Sequence, residues 1–138
     1  MRYAILLNPA AQNRRAARRR PALEAALREA GVDYTLTETE GPGHAERLAR
    51  EAAADHDVVV AVGGDGTIHE VARGVYGTGA RMGVLPFGTG NDFAHAVGMP
   101  DDLREAVRAL LVAEPQAVDV GRVRWLEGRD GRAAVRVA

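Results

Sequence analysis

The chain has 138 residues, of which 46% are hydrophobic and 27% are charged, and its formal net charge is -1. These values predict one soluble globular domain with its own core, and the near-zero charge gives no overall attraction to nucleic acid. Because the chain has no cysteine and all 18 basic residues are arginine, disulfides, thiolate metal sites and a lysine-containing P-loop are excluded.

The first half of the chain alternates strand and helix patterns, which predict an α/β domain with a largely parallel sheet flanked by helices. A strand is expected over residues 3–7 and a helix over residues 14–30, in which Pro21 either begins the main helix or kinks it. A second strand is expected over residues 32–37. A second helix follows over residues 44–54, after a loop of glycine and proline.

Two further strand–turn–helix units form the centre of the chain. An apolar, β-branched strand over residues 58–62 leads into the first glycine loop, residues 63–67 (GGDGT), and a helix to about residue 74. A strand over residues 82–85 leads into the second glycine loop, residues 88–92 (GTGND), which opens a short helix that continues to Val97.

The end of the chain changes character. A helix capped by Asp101 is expected to continue to about Val112. Residues 117–126 and 132–137 predict the two strands of a β-hairpin around a turn at residues 127–131. Because the sequence stops within the second predicted strand, we expect a fragment of a longer protein, and its open strand end could associate with a second copy as a homodimer.

The two glycine loops are candidate ligand sites because each follows a strand and opens a helix. In a parallel sheet both loops would lie at the carboxyl edge, where open α/β folds bind ligands. Backbone N–H groups directed at one place suit a phosphate, although a structural turn could explain either loop alone. A carboxylate among these glycines would repel a bare phosphate, so Asp65 indicates a cation or a proton at the site.

Three aspartates could approach the same crevice in this topology, namely Asp65, Asp92 and Asp119. Carboxylates, water and phosphate oxygens are the ligands that Mg²⁺ takes, so the residue types suit a Mg²⁺–nucleotide site. The alternatives are that Asp92 favours the start of its helix and that Asp119 faces solvent. Glu70 follows Thr67 at the spacing of a capping box, which would give this pair a structural role.

Contact with membranes or nucleic acid would be made at the surface of the domain. No apolar run is long enough for a signal peptide or a membrane span, so we expect a cytoplasmic protein that touches membranes peripherally. A cluster of arginines in the first helix could contact anionic lipid head groups, but a solvated helix face is favoured. The cluster consists of Arg14, Arg15, Arg18, Arg19 and Arg20.

Four motifs, in this order, resemble the lipid kinase family of diacylglycerol kinases, sphingosine kinases and their bacterial relatives. They are residues 8–9 (NP), 58–71 around the first glycine loop, 83–94 around the second, and 118–121 (VDVG). All four together are more specific than the first loop, which NAD kinases and phosphofructokinases share. The resemblance implies that residues 1–138 are the α/β nucleotide-binding domain of an NAD kinase/diacylglycerol kinase-like fold, with a second, β-rich domain downstream.

The activity implied by the resemblance is ATP- and Mg²⁺-dependent phosphoryl transfer to a lipid hydroxyl at a membrane surface. This chain would be the ATP-binding half and inactive alone. In some relatives the aspartate matching Asp65 is proposed to take the hydroxyl proton, and Asp65, Asp92 and Asp119 would orient Mg²⁺-bound water. The resemblance assigns ATP contacts to Asn8, Thr39, Gly63, Gly64, Asp65, Gly66, Thr67, Glu70, Gly88, Thr89, Gly90 and Asn91.

The chain departs from the family pattern at two places. The family often has a glycine shortly after Asn-Pro, where this chain has Ala10-Ala11-Gln12, and His69 replaces the asparagine usual in bacterial members. Two other functions therefore stay open: an NAD kinase-like enzyme with a soluble acceptor, and a nucleotide-binding module without catalysis.

Overall fold

The computed structural model describes residues 1–121, 123–127 and 133–137 of the chain. The strands and helices alternate along most of this part. In chain order they are β1 (Arg2–Leu7), α1 (Arg15–Glu29), β2 (Asp33–Glu38), α2 (His44–Ala52), β3 (Val58–Gly63), α3 (Asp65–Val75), β4 (Arg81–Pro86), α4 (Asp92–Ala96), α5 (Leu103–Val112), β5 (Val123–Glu127) and β6 (Ala133–Val137).

Strands β1 to β4 form one parallel sheet in the order β2-β1-β3-β4. Tyr3 on β1 lies opposite Tyr34 on β2 and Val58 on β3, and Val58 lies opposite Arg81 on β4. The central strand β3 is buried along its whole length, as its continuous β-branched sequence predicts for a parallel sheet covered on both faces. The expectation of an α/β fold with a parallel sheet is confirmed.

Helices cover both faces of this sheet. On one face, Leu27 of α1 and Val107 of α5 share a buried cluster with Val60 of β3. On the other face, α2, α3 and α4 pack on the sheet, with Ala49 and Val71 in the second buried cluster. Because α1 and α3 leave the neighbouring strands β1 and β3 toward opposite faces, the carboxyl ends of these strands form the kind of switch point at which open α/β folds bind ligands.

The end of the chain differs from the sequence prediction. Strands β5 and β6 form an antiparallel pair in which Val123 lies opposite Val137, which confirms the two hairpin strands. Residues 117–121 have no regular structure, so the predicted strand over 117–126 was wrong in its first part. Most of the predicted turn, residues 128–131, lies outside the described residues.

One helix start differs from the prediction, and another decides between two alternatives. Helix α5 is capped by Asp102 and not by Asp101, because the Asp102 carboxylate accepts a hydrogen bond from the Glu105 N–H at 3.0 Å. The helix predicted over residues 14–30 is confirmed as α1 (Arg15–Glu29), and it begins before Pro21 and continues through it, so Pro21 does not begin the main helix. Among the described residues, no helix has the length and apolar character that a membrane crossing requires.

Candidate functional site

The two glycine loops touch each other backbone to backbone at the carboxyl edge of the sheet. A Cβ atom on Gly88 would collide with the Cα of Gly64, and one on Gly64 would lie 3.2 Å from the Cα of Gly88. A Cβ on Gly63 would lie 2.6 Å from the Oγ1 of Thr67. Packing within the chain therefore explains the glycines at these three positions.

Gly66 has no such explanation. Among the described residues, a Cβ at this position would meet nothing within 4 Å, and the φ angle of Gly66 is not positive. Glycine is unfavourable inside a helix by about 1 kcal/mol relative to alanine, so its presence in the exposed first turn of α3 needs another cause. Close approach of a ligand to the backbone is a cause that fits the open space.

Unpaired backbone N–H groups surround this contact. Helix α3 begins at Asp65 without a side-chain cap, and the N–H groups of its first three residues bond to no acceptor among the described residues. In the second loop, the N–H groups of Thr89 and Gly90 likewise have no acceptor in the part of the chain that the structure describes. Such groups at a helix N-terminus and an adjoining bend form an anion-binding arrangement.

The Asp65 carboxylate joins the first glycine loop to α4. Its Oδ2 accepts a hydrogen bond from the N–H of Asp92 at 3.2 Å, and its Oδ1 accepts one from the N–H of Phe93 at 3.1 Å. These are the first N–H groups of α4, which its own N-cap residue Asn91 leaves unbonded. The carboxylate therefore has a structural partner, which the argument from phosphate repulsion alone did not foresee.

Asn91 shapes the second glycine loop. Its Oδ1 accepts a hydrogen bond from the N–H of Gly88 and its Nδ2 donates to the carbonyl of Gly88, both at 2.8 Å. The side chain is buried and its φ angle is 55°, a left-handed conformation that Asn tolerates better than most residues. Gln12 also donates to the Gly88 carbonyl at 2.7 Å, a contact that sequence reasoning missed because no local pattern signals it.

Asn8 and Thr67 form a further link beneath the first glycine loop. The Asn8 Nδ2 donates to the Thr67 Oγ1 at 3.0 Å, and Asn8 Oδ1 accepts from the N–H of Ala10 at 3.0 Å. Thr67 is the third residue of α3 and its side chain is buried. The structure thus brings Asn8, at the end of β1, together with the loop after β3.

The capping box expected for Thr67 and Glu70 was wrong. Helix α3 begins at Asp65, so Thr67 is inside the helix and not at its N-cap. The Glu70 Oε1 instead accepts a hydrogen bond from the N–H of Gly43 at 3.0 Å, which fixes the start of α2 against α3. Thr39 is buried at the end of β2, and its N–H donates to the carbonyl of Leu7 at 2.9 Å.

Two of the three predicted acidic residues lie close together. A Cβ on Gly90 would lie 3.4 Å from Oδ2 of Asp65 and 3.7 Å from Oδ1 of Asp92. Asp119 is exposed in a segment without regular structure. Among the described residues, no three His, Cys, Asp or Glu side chains are grouped to hold a metal ion. The pair fits a Mg²⁺ ion held mainly by water and phosphate, which is how this cation is usually bound.

The arginine cluster divides into two parts. Arg19 stacks on the Phe87 ring with its Cζ 4.0 Å from the centroid. Arg20 pairs with Glu24 at 2.7 Å and with Glu38 at 2.9 Å, and these hydrogen bonds raise its pKa above the ordinary value. The remaining members are exposed and pair with no carboxylate among the described residues: Arg14, Arg15 and Arg18.

Known proteins similar to this chain are lipid kinases by name. A protein of Klebsiella pneumoniae (strain 342) named probable lipid kinase YegS-like is 42% identical over 100 residues, or 70% of this chain and 34% of that protein. The diacylglycerol kinase of Staphylococcus saprophyticus subsp. saprophyticus is 33% identical over 125 residues, or 88% of this chain and 41% of that protein. The chain thus spans well under half the length of these relatives.

A crystal structure of a diacylglycerol kinase from Bacillus anthracis str. Sterne has the same fold. It matches with a TM-score of 0.70 at 27% sequence identity, covering 88% of this chain and 43% of that chain. Residues 2–123 match the sequence profile of the diacylglycerol kinase catalytic domain, and this range contains both glycine loops. The chain therefore belongs to the diacylglycerol kinase catalytic domain family.

Proposed function

We propose that this chain is the nucleotide-binding half of an enzyme that transfers the γ-phosphoryl group of ATP to the hydroxyl group of a lipid. The observation that carries this proposal is the set of unpaired N–H groups around the contact between Gly64 and Gly88. Phosphate oxygens are the acceptors that such a set favours. Gly66, which packing within the chain does not require, supports the approach of a phosphate to the backbone.

Phosphoryl transfer is catalysed mostly by positioning and by neutralisation of charge. The backbone N–H groups of Gly64, Gly66 and Thr89 would orient the β- and γ-phosphates, with the remaining groups of both loops beside them. Asp65 and Asp92, which lie close together, would hold Mg²⁺ through water, and the ion would supply charge neutralisation at the phosphates. The resemblance adds Asp119 to this network, but among the described residues Asp119 is not grouped with these two aspartates to hold a metal ion.

The proposed role of Asp65 in proton transfer is compatible with its structural contacts. An ionised carboxylate offers about four acceptor positions, and the bonds to the N–H groups of Asp92 and Phe93 use two of them. A lipid hydroxyl or a Mg²⁺-bound water could therefore donate to the same carboxylate. To accept the proton, the Asp65 carboxylate must lie within hydrogen-bond distance of the lipid hydroxyl. The two bonds from α4 would help to keep the carboxylate in such a position.

The nucleoside part of ATP would lie toward β1 and β2. Thr39 directly follows β2, two strands away from the first glycine loop, a distance of about 10 Å at ordinary strand spacing. An extended nucleotide reaches across such a distance, so Asn8, Thr39 and Glu70 remain proposed ATP contacts. Glu70 would contact ATP while its Oε1 also accepts the hydrogen bond from the N–H of Gly43, which shapes the loop before α2.

The lipid acceptor is proposed from the relatives, which are named lipid kinase and diacylglycerol kinase. We propose that the protein works in the cytoplasm and reaches such an acceptor by touching the membrane peripherally. The downstream, β-rich part expected from the resemblance would complete the lipid site and the cleft.

The test compares this chain with a form extended to the length of its relatives. Both are incubated with Mg²⁺, γ-labelled ATP and mixed micelles of diacylglycerol, or with NAD in place of the lipid. We expect labelled lipid from the extended form and nucleotide binding without turnover from the 138-residue chain. Labelled NAD would contradict the lipid assignment, and nucleotide binding without turnover in the extended form would indicate a non-catalytic module.

A further inference from the structure

We propose that Gln12 is a positioning residue that holds the second glycine loop in the conformation that binds phosphate. The inference rests on the proposed nucleotide-binding function and assigns a role to a residue outside the family motifs. Gln12 lies in the loop between β1 and α1.

The first observation is a hydrogen bond between the loops that follow β1 and β4, two strands that are not neighbours in the sheet. The Gln12 Nε2 donates to the carbonyl of Gly88 at 2.7 Å, although the two residues are 76 positions apart in the sequence. Strand β3 lies between β1 and β4, so this bond passes the loop after β3 to reach the loop after β4. The other side-chain partner of Gly88 is Asn91, which belongs to the second loop itself. Gln12 therefore ties this loop to a different part of the molecule.

The second observation is backbone strain at the residues that place this side chain. Gln12, Asn13 and Arg14 have φ angles of 52°, 54° and 70°. The left-handed region costs a residue other than glycine about 1–2 kcal/mol, so three in succession are unfavourable. Strained residues persist where surrounding contacts fix them, and they are concentrated at functional sites. Here the strained turn directs Gln12 back to the sheet edge.

A third contact fixes the residue next to Gly88. Arg19, on the second turn of α1, stacks on the ring of Phe87 with its Cζ 4.0 Å from the centroid, and Phe87 is fully buried. The segment from Gln12 to Arg19 thus contacts two successive residues of the chain leading into the second loop. The position of that loop is set by α1 as well as by its own turn.

The Gln12–Gly88 hydrogen bond affects the N–H groups of Thr89 and Gly90, the two residues that follow Gly88. A peptide group fixed at Gly88 limits the directions in which the next two N–H groups can point. Without the Gln12 bond the Gly88 carbonyl keeps only the Asn91 partner, and the exposed tip of the loop gains freedom. Ordering the loop would then oppose the binding of phosphate, because ordering costs conformational entropy.

The experiment uses two variants of Gln12 and a matched control. Gln12→Glu has the same size but cannot donate, and its carboxylate repels the Gly88 carbonyl. Gln12→Ala removes the hydrogen-bonding group without adding charge. It replaces Gln12→Glu in the same measurements if Gln12→Glu does not fold. Gln116→Glu makes the same substitution at an exposed position in the segment before β5.

Two readouts separate this inference from the proposed function. Amide hydrogen exchange of residues 84–97 is measured without nucleotide, and the affinity for a fluorescent ATP analogue is measured with Mg²⁺. Relative to Gln116→Glu, we expect Gln12→Glu to raise the exchange rate of residues 84–97 about five- to tenfold and to weaken the nucleotide affinity by about the same factor. A change of this size corresponds to the loss of one hydrogen bond.

Unchanged exchange in both Gln12 variants would overturn the positioning role, whatever the nucleotide affinity. Faster exchange with unchanged affinity would overturn its link to phosphate binding. A parent chain that binds no nucleotide would contradict the proposed function and the nucleotide part of this inference, and its exchange data would still test the contact itself.

Discussion

At the scale of single residues, Asp65 links the stability of the site to its proposed chemistry. The same carboxylate that bonds to the N–H groups of Asp92 and Phe93 lies beside the N–H groups proposed to hold phosphate. A substitution at this position should therefore change both the free energy of unfolding and the turnover of the extended enzyme, and the two effects can be measured separately.

We expect Asp65→Ala to lower the free energy of unfolding by about 1 kcal/mol, since loss of a capping side chain costs that amount. Asp65→Asn keeps one acceptor atom and should cost about half as much on the same grounds. Both variants should abolish turnover in the extended enzyme, measured with γ-labelled ATP. Urea denaturation measures stability, with the exposed Asp33→Asn as the control. Near-normal turnover of Asp65→Asn would contradict the catalytic assignment.

The glycines of the two loops give a second prediction because only some of them are required by packing. Gly66→Ala should leave stability unchanged or raise it by up to about 1 kcal/mol, because alanine favours a helix, yet it should prevent the binding of Mg²⁺–ATP. Gly88→Ala should lower stability by about 1–3 kcal/mol through collision with Gly64. Calorimetry and nucleotide titration measure the two quantities.

Gly79→Ala is the control for this pair, since a Cβ there meets nothing within 4 Å and its φ angle is not positive. Full nucleotide affinity in Gly66→Ala would show that no ligand approaches this backbone, and the proposed phosphate position would be wrong.

The sequence was sufficient to predict the two glycine loops and their edge of the sheet, since strand, glycine turn and helix are local patterns. It could not predict the partners of Gln12 and Glu70, because these side chains bond to Gly88 and Gly43 in other loops. Such contacts depend on the register of the whole sheet and on the left-handed backbone angles of the loop residues. No pattern in the local sequence predicts either of them.

At the scale of secondary-structure elements, α2 and α3 pack closely because Gly74 has no side chain. A Cβ on Gly74 would collide with the Glu46 carbonyl oxygen and lie 2.6 Å from the Cβ of Ala49. This contact holds the loop before α2 near α3, where Glu70 bonds to Gly43. The packing of α2 against α3 thus holds in place the loop beside which the nucleoside of ATP is proposed to bind.

We expect Gly74→Ala to lower the free energy of unfolding by about 1–3 kcal/mol, because the helices must separate or tilt to admit a methyl group. Gly79→Ala, in the turn after α3, should have the same free energy of unfolding as the parent chain. Chemical denaturation of both variants measures the difference. An unchanged or stabilised Gly74→Ala would contradict the close packing of α2 and α3.

The order and type of the elements were predicted from residues 1–112, because three strands have apolar runs, β2 alternates apolar and polar residues, and a glycine follows most of the helices. The errors lie at boundaries. Asp101 and Asp102 are adjacent and equally suitable caps, so only the geometry of the helix start distinguishes them. The apolar residues Val118 and Val120 suggested a strand, but both are exposed in a segment without regular structure.

At the scale of the whole molecule, the unpaired arginines form a positive surface at the N-terminal end of α1, beside the edge of the sheet that carries the glycine loops. Charge of this kind contributes about 1 kcal/mol per residue to binding at an anionic membrane. The proposed transfer to a lipid would be helped by such attraction, which would bring the glycine loops toward the membrane surface.

We expect the triple substitution of Arg14, Arg15 and Arg18 by Gln to weaken binding to vesicles containing phosphatidylglycerol on the order of 100-fold at low salt. The matched control replaces Arg47, Arg50 and Arg73, which pair with Glu51 and Glu46, and changes the net charge equally. Vesicle sedimentation measures both. Equal losses in the two variants would indicate a general charge effect and contradict a specific membrane-facing surface.

The measurement that tests the central claim most directly is a titration of the isotope-labelled chain with Mg²⁺–ATP, followed by NMR of the backbone amides. We expect the largest shifts at residues 64–67 and 89–90, and we expect Gly66→Ala to abolish these shifts and Gly79→Ala to leave them unchanged. Shifts confined to other parts of the chain, or no shifts at millimolar nucleotide, would contradict a phosphate site between the two glycine loops.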